Sequence, residues 1–113
     1  MECTIAEGSD DVTRVRLDGR LDAAGADAVG VKLTAAVVAP GRDAIVDLAG
    51  VTFVASLGLR LLISLARGIA GKGRNLAFFG AQPLVQDVLD GAALDQILPV
   101  VATEAEALAA LAD

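Results

Sequence analysis

The chain predicts an α/β fold in which helices cover a mostly parallel sheet. Three observations carry that expectation. Short Val-, Ile- and Leu-rich runs alternate with longer segments of helical period, and Gly or Pro punctuates most of the junctions. The resulting order is strand, strand, helix, strand, helix, strand, helix, strand, helix across 113 residues. Aromatic residues make up only 3%, with no Trp or Tyr, so the core must be built mainly from Ala, Val, Leu and Ile, which suit close helix-on-sheet layers. This length suits one core, and residues 1–113 are expected to form a single domain.

Each element has its own warrant. In "VTRVRLD" (12–18), Val12, Val15 and Leu17 stand among polar or charged neighbours, which reads as a strand with one wet face; "CTIA" before it is placed as its partner. After Gly19 and "RLD", Asp22 stands where a helix N-cap belongs. Ala26, Val29, Gly30, Leu33 and Val37 then recur at helical spacing, so residues 23–39 form an amphipathic helix ending before Pro40-Gly41. Ala44 to Leu48 carries apolar side chains on both faces, as a buried strand does.

A second helix opens at Ser56 and stops in "GKG" (71–73). "NLAFFGA" (75–81) is a further strand, and Pro83 suits the first turn of a third helix closed by Gly91. "AALDQIL" turns toward Pro99 and a small strand "VVA". Thr103 and Glu106, at capping-box spacing, start a last helix running through Ala112.

Charge and composition narrow the function. A net charge of −6 repels a phosphate backbone, so a nucleic acid is not the expected partner. The single Cys, Cys3, has no intrachain disulfide partner, and the absence of His removes Cys/His metal clusters; no metal or cofactor is expected. Mean hydropathy is +0.63, yet the uncharged central window runs only from Leu48 up to the charge of Arg60, short of the roughly 20 residues a spanning helix needs. The opening "MECTIAEGSDD" is acidic and lacks signal-peptide order, so a cytoplasmic protein without membrane insertion is expected.

Ser56 raises the functional question. Ser56, Arg60, Ser64, Arg67 and Gly71 fall on one helical strip flanked by apolar residues, so the second helix should show solvent a narrow polar seam. Ser56 heads that seam at the carboxyl edge of a parallel sheet, where open α/β folds place their sites. One reading makes it the helix N-cap and nothing more. Another makes it a phosphorylation site, since a helix start favours an added phosphate and Arg60 lies one turn along to meet it.

Taken together, "LDGRLDA" (17–23), "IVDLAGVTFVASLGLRLLISLAR" (45–67) and "GKGRNLAFFGAQPLVQDVLDGAALDQIL" (71–98) resemble the STAS family, the sulphate-transporter and anti-sigma-factor-antagonist domain. The resemblance covers nearly the whole chain and implies a mixed, mostly parallel sheet of four to five strands with helices largely on one face. It also implies a bacterial anti-sigma factor antagonist: a protein that binds a serine-kinase anti-sigma factor and frees a sigma factor. The kinase modifies a serine at the start of the second helix, which abolishes binding, and a phosphatase resets it.

In such members the site reads Asp, Ser, Ser or Thr, then Gly. Here it reads "ASLG", so Ser56 takes the modified position and Gly58 the glycine, while Ala55 replaces the acid and Leu57 the second hydroxyl. The resemblance puts Ala55, Ser56, Leu57 and Gly58 at the partner surface, and Asp22, which matches the family's acid after the first Gly, reads either as a further contact or as the cap of the first helix. Arg60 and Arg67, from the helical seam, read either as contacts to an acidic partner or as a solvated face.

Two other functions compete. Ala55 and Leu57 suit an unphosphorylated STAS scaffold in a stress-signalling complex or in a lipid or anion transporter. An enzyme or nucleotide binder is disfavoured: there is no His, no Tyr and no nucleophile–base pair, and "GIAGKG" ends a helix instead of opening one.

Overall fold

Among the described residues, two hydrophobic cores lie one on each face of a single sheet. The computed structural model describes residues 1–7 and 10–112; Gly8, Ser9 and Asp113 of the expected 1–113 domain lie outside the described residues. Among these, five strands lie in chain order: β1 (Glu2–Glu7), β2 (Thr13–Leu21), β3 (Ala44–Val54), β4 (Leu76–Phe79) and β5 (Val100–Val101). β1 is antiparallel to β2, and the other pairs are parallel. The connections are α1 (Ala23–Val37), α2 (Ser56–Gly71) and α3 (Pro83–Gly91), and α4 (Glu104–Leu111) follows β5.

The major core lies under α1, α2 and α3, where Leu17, Leu33, Val46, Leu48, Leu62, Leu65 and Phe78 are fully enclosed. On the opposite face Ile45, Ala77 and Phe79 meet Ala107 and Leu111 of α4. The sheet is therefore the mixed, mostly parallel one expected, with helices largely on one face. Burying a Leu or Val side chain is worth roughly 1.5–3 kcal/mol, which is why these alternating positions fix the layers.

Several boundaries move. β3 runs to Val54, well past Leu48, because its second half keeps pairing with β2 through two register shifts, at Arg16/Asp18 and Gly19/Arg20. α1 stops at Val37 instead of residue 39, and β4 and β5 are shorter than their apolar runs. "AALDQIL" holds a short 3-10 turn, Leu94–Gln96, entered through Ala93 at φ 55°. The expected Thr103 cap forms: its hydroxyl oxygen accepts the Glu106 N–H at 3.2 Å, while the Glu106 carboxylate accepts from the Thr103 hydroxyl.

α1 departs from the amphipathic expectation. Its sheet-facing residues are Gly25, Val29, Leu33 and Val37, with Ala26 and Gly30 half-buried toward its flank. Its outer face is also largely apolar, with Ala24, Ala28, Val31 and Ala35 exposed.

Candidate functional site

β2 ends at Leu21 and β3 at Val54, and the Ala55 N–H donates to the Leu21 carbonyl at 3.0 Å. That bond holds the starts of α1 and α2 side by side at the carboxyl edge of the sheet. Both starts press close on β2. A Cβ on Gly25 would run into the Arg20 carbonyl oxygen, and one on Gly58 would run into the Leu21 carbonyl oxygen and lie 2.7 Å from Leu21 Cγ. Gly58 is accordingly buried, turned to the sheet and away from solvent.

The two starts differ in their caps. Asp22 is the N-cap of α1, its Oδ1 accepting the Gly25 N–H at 2.8 Å. That N–H above all, with the Arg20 guanidinium 3.4 Å from Oδ2, holds the Asp22 carboxyl below the usual carboxylate range. At α2 the N-cap is Ala55, which has no side chain to offer the first-turn amides. Ser56 is therefore not the N-cap: it stands one residue inside, at the first helical position.

Ser56 is exposed, and its hydroxyl makes no hydrogen bond among the described residues. Beside it Leu57 is 47% exposed and Ala55 half-buried. Arg60, one turn along, is exposed and makes no ion pair among the described residues, as is true of Arg67. Ser64 is exposed too but donates to the Leu61 carbonyl at 2.8 Å. The polar seam thus exists, widened at its head by Leu57 and at its tail by Ala70.

One neighbouring group was not foreseen. Arg20 places its guanidinium carbon 4.4 Å from the centre of the Phe53 ring while pairing with Asp22. Arg20 and Phe53 are register partners across β2 and β3, so this cation–aromatic pair borders the same edge as Asp22 and Ser56. The one available signal was scarcity: Phe53 is the only one of three Phe outside the 78–79 pair. Among the described residues, no cluster of His, Cys, Asp and Glu is arranged to hold a metal ion.

A family model described as "Mlab, STAS domain" matches residues 5–101. The chain belongs to the STAS domain family. Among curated proteins no sequence matches this STAS domain. Solved structures similar to it include an anti-sigma factor antagonist from Mycobacterium paratuberculosis, 26% identical with TM-score 0.85, covering 99% of this chain and 96% of that one. A candidate anti-sigma factor antagonist from Thermotoga maritima is 19% identical with TM-score 0.87, covering 97% and 94%. The Bacillus cell fate determinant SpoIIAA in its phosphorylated form is 19% identical with TM-score 0.71, covering 96% and 97%. No helix of this STAS domain, among the described residues, is long and apolar enough to cross a membrane.

Proposed function

We propose that this STAS domain is an anti-sigma factor antagonist whose hold on a serine-kinase anti-sigma factor is switched at Ser56. The observation that carries the reading is the free, exposed hydroxyl of Ser56 at the first position of an uncapped helix. A kinase needs an accessible nucleophilic oxygen, and this one is committed to no other group among the described residues. The similarity to a structure of SpoIIAA in phosphorylated form supports the same reading.

The chemistry is a phosphoryl transfer. The Ser56 hydroxyl oxygen takes the γ-phosphoryl group of ATP held by the partner, its proton leaves to a base of that partner, and ADP is released. The product adds about 1.5–2 negative charges and three acceptor oxygens. At the α2 start the phosphate meets unpaired amides and the positive end of the helix dipole, and Arg60 is one turn away, so the domain itself tolerates it. The partner does not. It packs on Ala55 and Leu57 in the unmodified state, with Asp22 and Arg60 at the margins, and a dianion there must be desolvated on contact. A phosphatase that removes the phosphate restores binding.

The test is incubation with the cognate anti-sigma factor and labelled ATP, comparing wild type with Ser56→Ala. Label that depends on Ser56, and complexes that dissociate as label accumulates, are expected. A second reading, an unphosphorylated scaffold subunit of a stress-signalling complex or a lipid or anion transporter, is favoured by one observation: Ala55 and Leu57 are apolar where the family pattern has an acid and a second hydroxyl. It predicts equal, background label in both proteins and a stable complex throughout.

A further inference from the structure

Away from both the sheet and the Ser56 edge, α1 and α2 lie side by side and leave an open groove of about 640 Å³ between them. Gly30 keeps the groove deep, since even a Cβ added there would come only to 3.9 Å from Leu61 on the opposite wall. Thr34 and Ala35 continue the α1 wall, and Val31 stands on the rim, 86% exposed. No other large apolar side chain among the described residues is so exposed.

The groove has charged ends of opposite sign. Asp27 stands near the α1 N-terminal end; Lys72, the C-cap of α2, stands at the other, beside Val38 and Ala39. Neither makes an ion pair or a side-chain hydrogen bond among the described residues. The eleven-residue step from Asp27 to Val38 is about 16 Å at the rise of an α-helix.

We propose that this groove docks a second copy of the chain, α1 against α1 about a two-fold axis. A two-fold contact requires a patch complementary to itself. This one carries a knob, Val31, next to a notch, Gly30, on the same helix. Its two unpaired charges sit at opposite ends, so the antiparallel arrangement sets Asp27 of each copy against Lys72 of the other, twice over. Antiparallel helices also oppose their dipoles favourably. A uniformly charged partner would find no such match, because the groove's own charges cancel. The contact is confined to one helix face and its flank, which places it at the small end of specific interfaces and makes the dimer concentration-dependent.

Sedimentation equilibrium of the full chain from ~10 μM to ~1 mM spans the affinities such a contact gives. The weight-average mass is expected to rise from one chain toward two. Val31→Glu, at a position so exposed that the fold is unaffected, holds the mass at one chain; circular dichroism checks the fold. D27K and K72D each raise the dissociation constant ~10-fold by setting like charges together. Their equimolar mixture pairs every charge and dimerises again, whereas Ser56→Asp, on another face, changes nothing. A mass of one chain at every concentration overturns the proposal and leaves the groove to some other partner. So does a dimer indifferent to Val31→Glu, or a mixture of D27K and K72D that stays monomeric.

Discussion

The helix starts of α1 and α2 are built alike and finished differently. Each follows the end of a parallel strand, each has glycine at its third position, and each glycine lies against a carbonyl at the end of β2, of Arg20 for Gly25 and of Leu21 for Gly58. At α1 the cap is a carboxylate bonded to the helix; at α2 it is a methyl group. Close packing therefore comes from the glycines and is common to both, while the chemistry exposed at the edge is decided by the cap alone. The capped start is closed to outside anions, and the uncapped one keeps its amides and the Ser56 hydroxyl available.

The largest expected effect comes from breaking the shared part. Gly58→Val forces a branched side chain into the Leu21 carbonyl, and the overpacking should cost about 2–4 kcal/mol in urea unfolding. A variant as stable as wild type would mean that α2 can lift off β2, and the common architecture would be lost. Next comes exchanging the caps. Ala55→Asp gives α2 the acceptor it lacks and should raise stability by about 1 kcal/mol. Asp22→Ala should lower the unfolding midpoint by leaving the Gly25 N–H without its acceptor, and equal midpoints for the wild type and this variant would remove the distinction between the two starts.

Smaller still is the effect of charge at Ser56 on the fold itself. Ser56→Asp should leave stability unchanged or raise it by about 0.5 kcal/mol, because a negative charge at a helix N-terminus is favourable and the wild-type hydroxyl makes no bond among the described residues. Its effect on the anti-sigma partner should be large by contrast, with binding lost. Thermal melts and a binding titration on the same sample separate the two, and a marked loss of stability would show that the hydroxyl has a structural partner after all.

How far these features were legible differs by residue. Asp22 as a cap, the start of α2 at Ser56 and its seam of Arg60, Ser64 and Arg67 follow from spacing, since helical period and capping chemistry are local. Which of Ala55 and Ser56 caps α2 is a one-residue question that depends on where β3 releases the chain. That point was hidden because Ala49-Gly50 interrupts the apolar run like a turn, whereas Gly50 in fact stays in the strand and lets the Asp18 side chain lie across it. The Arg20–Phe53 contact was hidden for the same reason, as it depends on β2 slipping twice against β3. The self-complementary groove needed α1 and α2 to be placed together before Val31, Asp27 and Lys72 could be seen on one surface.

The smallest effect, and the one that sharpens the contrast between the caps most directly, is pH dependence. Folding lowers the Asp22 carboxyl through the Gly25 N–H and Arg20, and lowers Asp10 to about 2 through its hydrogen bond with Arg14. A carboxyl whose folded pKa lies below its ordinary 3.8 stabilises the protein above that value, and the contribution fades as pH falls through the folded pKa. For Asp10 the window therefore runs from 3.8 down to about 2, and Asp22 loses its share below 3.8 as well. Asp22→Asn keeps an acceptor for Gly25 but does not titrate, so its urea midpoint should fall less steeply on acidification than that of wild type. Ala55→Asp, by adding a second titrating cap, should fall more steeply. Parallel profiles for all three would mean that the charge of the cap is irrelevant and that the openness of α2 reflects shape alone.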